Sequence, residues 1–343
     1  MSTSPIAFLI ALLLIAANLR TALTGVGPVL EYIRDDLGLS AAGAGALAAL
    51  PVLMFAVFAP IARLARRFGA ERMILGGLLL LFGGLLLRSA GGTLALFAGT
   101  IVLATGIAST NVLLPVVIKQ HYPSRVPSMT MAYATVMGGT AALASGVTVP
   151  MAQALPGGWR SALGSWAVLA LVALMAWLPH SRARHVDAQP AQPAQPAQPA
   201  MSAPPAPRLP PASRPPVWRT AIAWQVTGFM GMQSTVFYIA IAWFPAILRE
   251  AGFSDAATGW QLTLYQVAAL LAGLAVPALV RRFHDQRGLA VALAVLVSTG
   301  LLGVLFAPRL STWWMIVLGC GSGPALILGL SFMGLRARTH ESA

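Results

Sequence analysis

Arg20 is the residue whose type and position ask for a chemical explanation first. It stands in Ile15-Ala16-Ala17-Asn18-Leu19-Arg20-Thr21-Ala22-Leu23-Thr24, inside an apolar run from Ile6 to about Leu30. Among the 22 basic and 9 acidic side chains of the chain, it alone is placed deep in such a run. At 1.5 Å per helical residue it lies about 21 Å along a segment long enough to cross a bilayer. A guanidinium at that depth costs at least about 2.5 to 3.5 kcal/mol unless it faces a polar cavity, a partner or a bound anion. Its planar fork of five donors grips a small anion in a bidentate way that a lysine point charge does not match. The structural alternative is an arginine satisfied by helix carbonyls, or by Asn18 and Thr24.

Other polar groups share this apolar setting. Asn111 lies in the middle of a later run, with Pro115 one turn on to free a carbonyl. Amides so placed either line a cavity or hydrogen-bond neighbouring helices. Gln233 and Tyr238 are candidates to close over a small ligand, while Trp243 reads better as an interfacial anchor. Tyr265 and Gln266 are weaker candidates of the same kind. The centre of each apolar run lacks Asp, Glu and His, so the carboxylate relay of many proton-driven pumps is not visible. Metal-ligand spacing, a nucleotide loop and a Ser/His/Asp set are also missing, so neither enzyme nor cofactor is expected.

The elements that must hold these residues follow from composition. The 343 residues are 57% hydrophobic and 9% charged, with a mean hydropathy of +0.77, whereas a soluble domain carries roughly 25% charged residues. The chain reads as an all-α integral membrane protein, since no run alternates apolar and polar residues as a transmembrane barrel requires. The net charge of +13 sits in short loops and not in a basic face with interleaved aromatics, so a lipid bilayer and not nucleic acid is the expected partner. Cys320 lies within an apolar run and has no second cysteine to pair with.

Charges and turn residues divide the chain into ten candidate spans, near 6–30, 43–62, 73–89, 94–118, 127–151, 161–178, 218–247, 258–280, 289–307 and 312–335. With the N-terminus on one side, sixteen Lys and Arg fall on that side and five on the other, Arg88 among the five. This positive-inside bias predicts cytoplasmic termini in a cell inner (plasma) membrane. Residues 180–217, with Ala-Gln-Pro repeated at 188–200, cannot bury apolar surface and read as a cytoplasmic linker. The expected organisation is a six-helix bundle over 1–179, the linker, and a four-helix bundle over 218–343. An internal repeat agrees: Pro60-Ile-Ala-Arg-Leu-Ala-Arg-Arg-Phe-Gly-Ala-Glu-Arg in the first part matches Pro277-Ala-Leu-Val-Arg-Arg-Phe-His-Asp-Gln-Arg-Gly in the second. Duplicated bundles are how many secondary transporters are built, with substrate near the midplane.

At this point the residues resemble those of the major facilitator superfamily, and within it the cyanate and nitroimidazole transporter family. Asn18-Leu-Arg-Thr-Ala-Leu-Thr, Leu50-Pro-Val-Leu, Arg63-Leu-Ala-Arg-Arg-Phe-Gly-Ala-Glu-Arg and Gly106-Ile-Ala-Ser-Thr-Asn-Val-Leu-Leu-Pro-Val-Val-Ile-Lys carry the resemblance. Gln233-Ser-Thr-Val-Phe-Tyr-Ile-Ala-Ile-Ala-Trp-Phe-Pro and Gly329-Leu-Ser-Phe-Met-Gly-Leu-Arg-Ala-Arg extend it. It implies a major facilitator fold working by alternating access, with a small anion or nitro-heteroaromatic as substrate and a proton as a potential coupling ion. Arg20, Asn18, Asn111, Gln233 and Tyr238 become the expected substrate-site residues. Arg66, Arg67 and Gly69 in one basic loop, and Arg281 and Arg282 in the other, become the expected gating positions. Where the superfamily has an acidic residue before Arg-Phe-Gly, this chain has Arg66, so that carboxylate's role has no counterpart. The superfamily has twelve helices, and ten spans imply that the C-terminal two are missing. The rival readings are a drug exporter of the same fold, disfavoured by a central arginine, and a truncated remnant that does not transport.

Overall fold

The computed structural model describes residues 5–181, 221–282 and 286–341; the expected linker falls almost entirely outside them. Ten long helices account for most of the described chain: α1 (Pro5–Thr24), α3 (Ala41–Phe58), α5 (Ala70–Ser89), α6 (Thr93–His121), α7 (Val126–Ala154), α8 (Trp159–Ser181), α9 (Ala221–Glu250), α10 (Asp255–Leu274), α12 (Gln286–Phe306) and α13 (Ser311–Glu341). Three short helices, α2 (Leu30–Leu37), α4 (Ala62–Phe68) and α11 (Val276–Arg282), lie between them. Their positions follow the ten spans expected from hydropathy. The first differs in detail: α1 stops at Thr24, and a 3-10 turn at Gly27–Val29, with Pro28 in it, leads into α2.

Nine helical segments among the described residues have the length and apolar character to cross a membrane. The tenth, α10, has 20 residues but is more polar. Its Thr258, Gln261, Tyr265 and Gln266 are all buried, so its polarity is directed at the protein interior. The protein is therefore a multi-pass membrane protein. Successive spans alternate in direction, and the ends of the helix array are called here the starting face, where α1 begins, and the far face.

Apolar packing falls into separate groups. One core joins Leu12, Ile15 and Leu19 of α1 to Leu78 and Leu81 of α5, Leu103 and Ile107 of α6 and Trp177 of α8. Another joins Phe244 and Leu248 of α9 to Leu262 of α10, Val304 of α12 and Met315 and Leu318 of α13. The buried members of the first come only from residues before 181 and those of the second only from residues after 221. Small residues allow close approach where helices cross. A Cβ on Gly84 would fall 2.4 Å from the Leu103 nitrogen, and one on Gly323 would fall 1.9 Å from the Ala269 carbonyl oxygen. These glycines seat α5 on α6 and α13 on α10.

The two groups of helices meet mainly through α7 and α10 and where the turn after α1 touches α9. A Cβ on Gly259 would lie 2.7 Å from the Ser145 carbonyl oxygen, and one on Gly27 would lie 1.9 Å from the Ile241 carbonyl oxygen. Polar contacts add to this far-face seam. Tyr32 donates to Asp255 at 2.5 Å, Gln153 donates to the Tyr32 hydroxyl at 3.2 Å, and the Arg249 Nε donates to the other Asp255 oxygen at 2.6 Å. The Gln266 amide donates to the Ser145 hydroxyl at 2.6 Å.

Candidate functional site

Below that seam the helix array lines an open cavity of about 450 Å³. Its walls come from the starting-face parts of α3, α7 and α10, from the middle of α9 and α13, and from Arg20 of α1. The cavity therefore lies toward the starting face while the far face is packed shut.

Among the described residues, Arg20 is the only charged group in this lining, and none of them there is a carboxylate. Its guanidinium sits over the Phe237 ring, 4.2 Å from Cζ to the centroid, a cation–π contact. Among the described residues no carboxylate or hydrogen-bond acceptor pairs with it. Tyr133, Tyr238 and Tyr265 lie within electrostatic reach of its charge. A half-buried positive charge beside aromatic rings and hydroxyls attracts an anion more strongly than a fully solvated arginine does.

Gln233 and Tyr238 line the same cavity, on one side of α9 with Ser234 and Phe237. They are five residues apart, yet a long cavity wall admits both. The Gln233 amide nitrogen donates to the Ser322 carbonyl at 2.6 Å, and its side-chain oxygen is left as an acceptor. Tyr265 and Gln266, the weaker expectations, also belong to the lining. The Ser322 hydroxyl donates to the Tyr265 hydroxyl at 3.1 Å, tying α13 to α10 beside the cavity.

Two expected site residues are placed elsewhere. Asn18 is buried with its amide nitrogen donating to the carbonyls of Leu14 at 2.8 Å and Leu169 at 3.3 Å. Two residues before Arg20 is about 200° around a helix, so the two side chains leave opposite sides of α1. Asn18 joins α1 to α8 and does not reach the cavity. Asn111 is exposed on α6 and absent from the cavity wall.

The expected gating positions fall on the two short helices. Arg66 and Arg67 are in α4 and Arg281 and Arg282 end α11, so both copies of the repeat form a seven-residue helix after a long one. Arg67 and Arg282 are exposed, and the side chains of Arg66 and Arg281 lie outside the described residues. Gly69 closes α4 and opens α5 at φ +86°, a conformation that L side chains rarely adopt.

One functional candidate escaped sequence reasoning. Arg88, assigned to a loop by its position near a span end, is buried in the last turn of α5 at 1% exposure. Its Nη1 donates to the Ala22 carbonyl at 2.7 Å, whereas Nε and Nη2 have no partner. The signal available in sequence was weak: Leu85-Leu86-Leu87 before it and Ser89-Ala90-Gly91-Gly92 after it read as the solvated end of a helix.

Helices of membrane-spanning length, two sequence-separated apolar cores and a charge-bearing cavity between them define a polytopic carrier. The chain belongs to the Major Facilitator Superfamily, whose family model matches residues 8–343. It is 43% identical over 335 residues to the uncharacterized transporter YycB of Bacillus subtilis, covering 97% of this chain and 79% of that protein. It is 40% identical over 342 residues to the 2-nitroimidazole transporter of Escherichia coli, covering 98% and 82%. The cyanate transport protein CynX of Escherichia coli is 30% identical over 325 residues, covering 94% and 79%. Its fold is similar to that of a bacterial homologue of the human lysosomal transporter Spinster, with a TM-score of 0.70 at 15% identity over 96% of this chain and 76% of that one. The xylose transporter XylE of Escherichia coli has a TM-score of 0.69 at 13% identity, over 97% and 87%. The relatives are transporters and not enzymes, and this chain is a major facilitator transporter.

Proposed function

We propose that this transporter carries a small solute with an anionic or nitro end, bound against Arg20 in the cavity, and that the preferred direction is uptake. The observation that supports this most is the Arg20 guanidinium, unpaired among the described residues and set in a cavity wall without a carboxylate. Gln233 and Tyr238 supply polar contacts beside it, and Phe237 and Phe55 supply aromatic surface.

Size and lining favour a nitro-heteroaromatic over cyanate. A cavity of about 450 Å³ is within the usual range of roughly 300–1,000 Å³ for sites that take organic ligands, whereas a triatomic anion would leave most of it to water. The name of the 40% identical relative agrees with this order. The positive-inside bias supports a cytoplasmic starting face in the inner membrane, which makes the described state inward-facing. Two bundles joined by the Pro/Ala/Gln-rich segment then rock about the cavity. With no carboxylate in the cavity wall, a coupling proton would travel with a weakly acidic substrate.

Reconstitution into liposomes tests the reading. Uptake of a labelled 2-nitroimidazole should show affinity falling about tenfold to a hundredfold in Arg20→Ala, the scale of a lost hydrogen bond to a charged group. Arg20→Lys should fall between, since it keeps the charge and loses the fork. Unchanged affinity and rate in folded Arg20→Ala would overturn the assignment.

A further inference from the structure

A second cavity, of about 40 Å³, lies toward the far face from the first. Arg88 lines it, together with Leu23, Pro51, Thr100, Ile241 and Tyr238. Tyr238 also lines the larger cavity, so one side chain forms a wall between the two.

The chemistry around Arg88 is unbalanced. Its one hydrogen bond goes to a backbone carbonyl, two of its nitrogens have no partner, and no carboxylate lines the space. The Thr100 hydroxyl is turned to the Leu96 carbonyl, at 2.7 Å. A buried cation without a counter-charge is strongly destabilising, and donors facing no acceptor add to the penalty. One water needs about 10–15 Å³, so this space holds a few waters or one small ion.

We propose that Arg88 forms an occluded binding site for a small monovalent inorganic anion of halide size, separate from the substrate site. The anion neutralises the guanidinium from the space beside it. The walls come from both sets of helices: Leu23, Pro51, Thr100 and Arg88 precede residue 181, while Tyr238 and Ile241 belong to α9. The site is whole only while α9 is packed against α1 and α3 at the far face. A ligand that binds one state alone shifts the population toward it, so the anion holds the far face shut.

The test follows far-face opening with chloride as the probe. In a Cys320→Ser background, Ser145→Cys puts a thiol at the buried seam, where Ser145 has 0% exposure. Its rate of modification by a polar maleimide is measured in chloride against gluconate, an anion too large for the space, at constant ionic strength. Chloride at ten times its dissociation constant should slow modification about tenfold. Arg88→Gln should abolish the chloride effect, and so should Ala48→Leu, which fills the cavity from α3 and keeps the arginine. Arg20→Gln should retain it, which separates this site from the proposed substrate site. Equal rates in chloride and gluconate for the parent would overturn the proposal. So would an undiminished chloride effect in Ala48→Leu, or its loss in Arg20→Gln. Should Arg88→Gln fail to fold, Ala48→Leu and Arg20→Gln still decide.

Discussion

Half-buried Arg20 and fully buried Arg88 differ in what surrounds each guanidinium. Arg20 lines a cavity of about 450 Å³, whereas Arg88 lines a space of about 40 Å³. Asn18 shows the converse, a polar residue near the cavity-lining Arg20 that is explained by helix packing. Removing its amide in Asn18→Ala deletes the bonds to Leu14 and Leu169. We expect a loss of about 1 kcal/mol, typical of an interhelical hydrogen bond in a membrane protein, visible as a lower thermal unfolding midpoint. Substrate affinity should stay at the parent value, since Asn18 does not line the cavity. A large change in affinity with unchanged stability would place the asparagine in the site after all.

Elements in this protein are shaped by a few residues that ordinary helix rules do not accommodate. α10 is less apolar than a typical membrane span, because its buried Gln261, Tyr265 and Gln266 serve the interior. α4 and α11 are only seven residues long, and their stability comes from the spans they terminate rather than from their own hydrogen bonds. At the α4–α5 junction, Gly69 lies at φ +86° and ψ +137°, buried and between two helices without a connecting loop. Gly69→Ala should therefore destabilise by about 1–3 kcal/mol, read as a fall in the unfolding midpoint of the purified protein. Gly83→Ala is the control: an added Cβ meets nothing within 4 Å, and alanine favours the helix.

At the scale of the whole molecule, the proposed transport requires the far-face seam to open. Its closeness is set by backbone contact at Gly27 and Gly259 and by the Tyr32–Asp255–Arg249 bonds. The side chains of Arg249 and Asp255 are partly exposed, so their ion pair contributes little, about 0–1 kcal/mol. The glycine contact is the stronger constraint. Gly27→Val puts a side chain where the Ile241 carbonyl lies and must push α9 away from the end of α1. A bias of about 1.4 kcal/mol toward the open seam is a tenfold shift in population. The cysteine introduced by Ser145→Cys should then react about tenfold faster in Gly27→Val than in the parent. An unchanged labelling rate would mean that the seam is held by contacts other than this one.

Sequence alone determined the membrane class, the ten long helices, the duplicated basic loop and the presence of an arginine deep in the first span. Hydropathy and charge report on the solvent each segment must face, and these signals are local, so they survive without coordinates. Which side of a helix a residue occupies relative to other helices is not local. Asn18 and Arg20 are two positions apart, yet one ties α1 to α8 and the other lines the cavity. Gln233 and Tyr238 do share a cavity with Arg20, while Asn111 is exposed on α6 outside it, although all were polar groups in apolar runs. Arg88 was least legible, since an arginine at a span end normally reaches water. Only the packing of α1, α3, α6 and α9 around it closed that route. Burial of a charge is a property of its neighbours in space, and the tertiary structure alone supplies them.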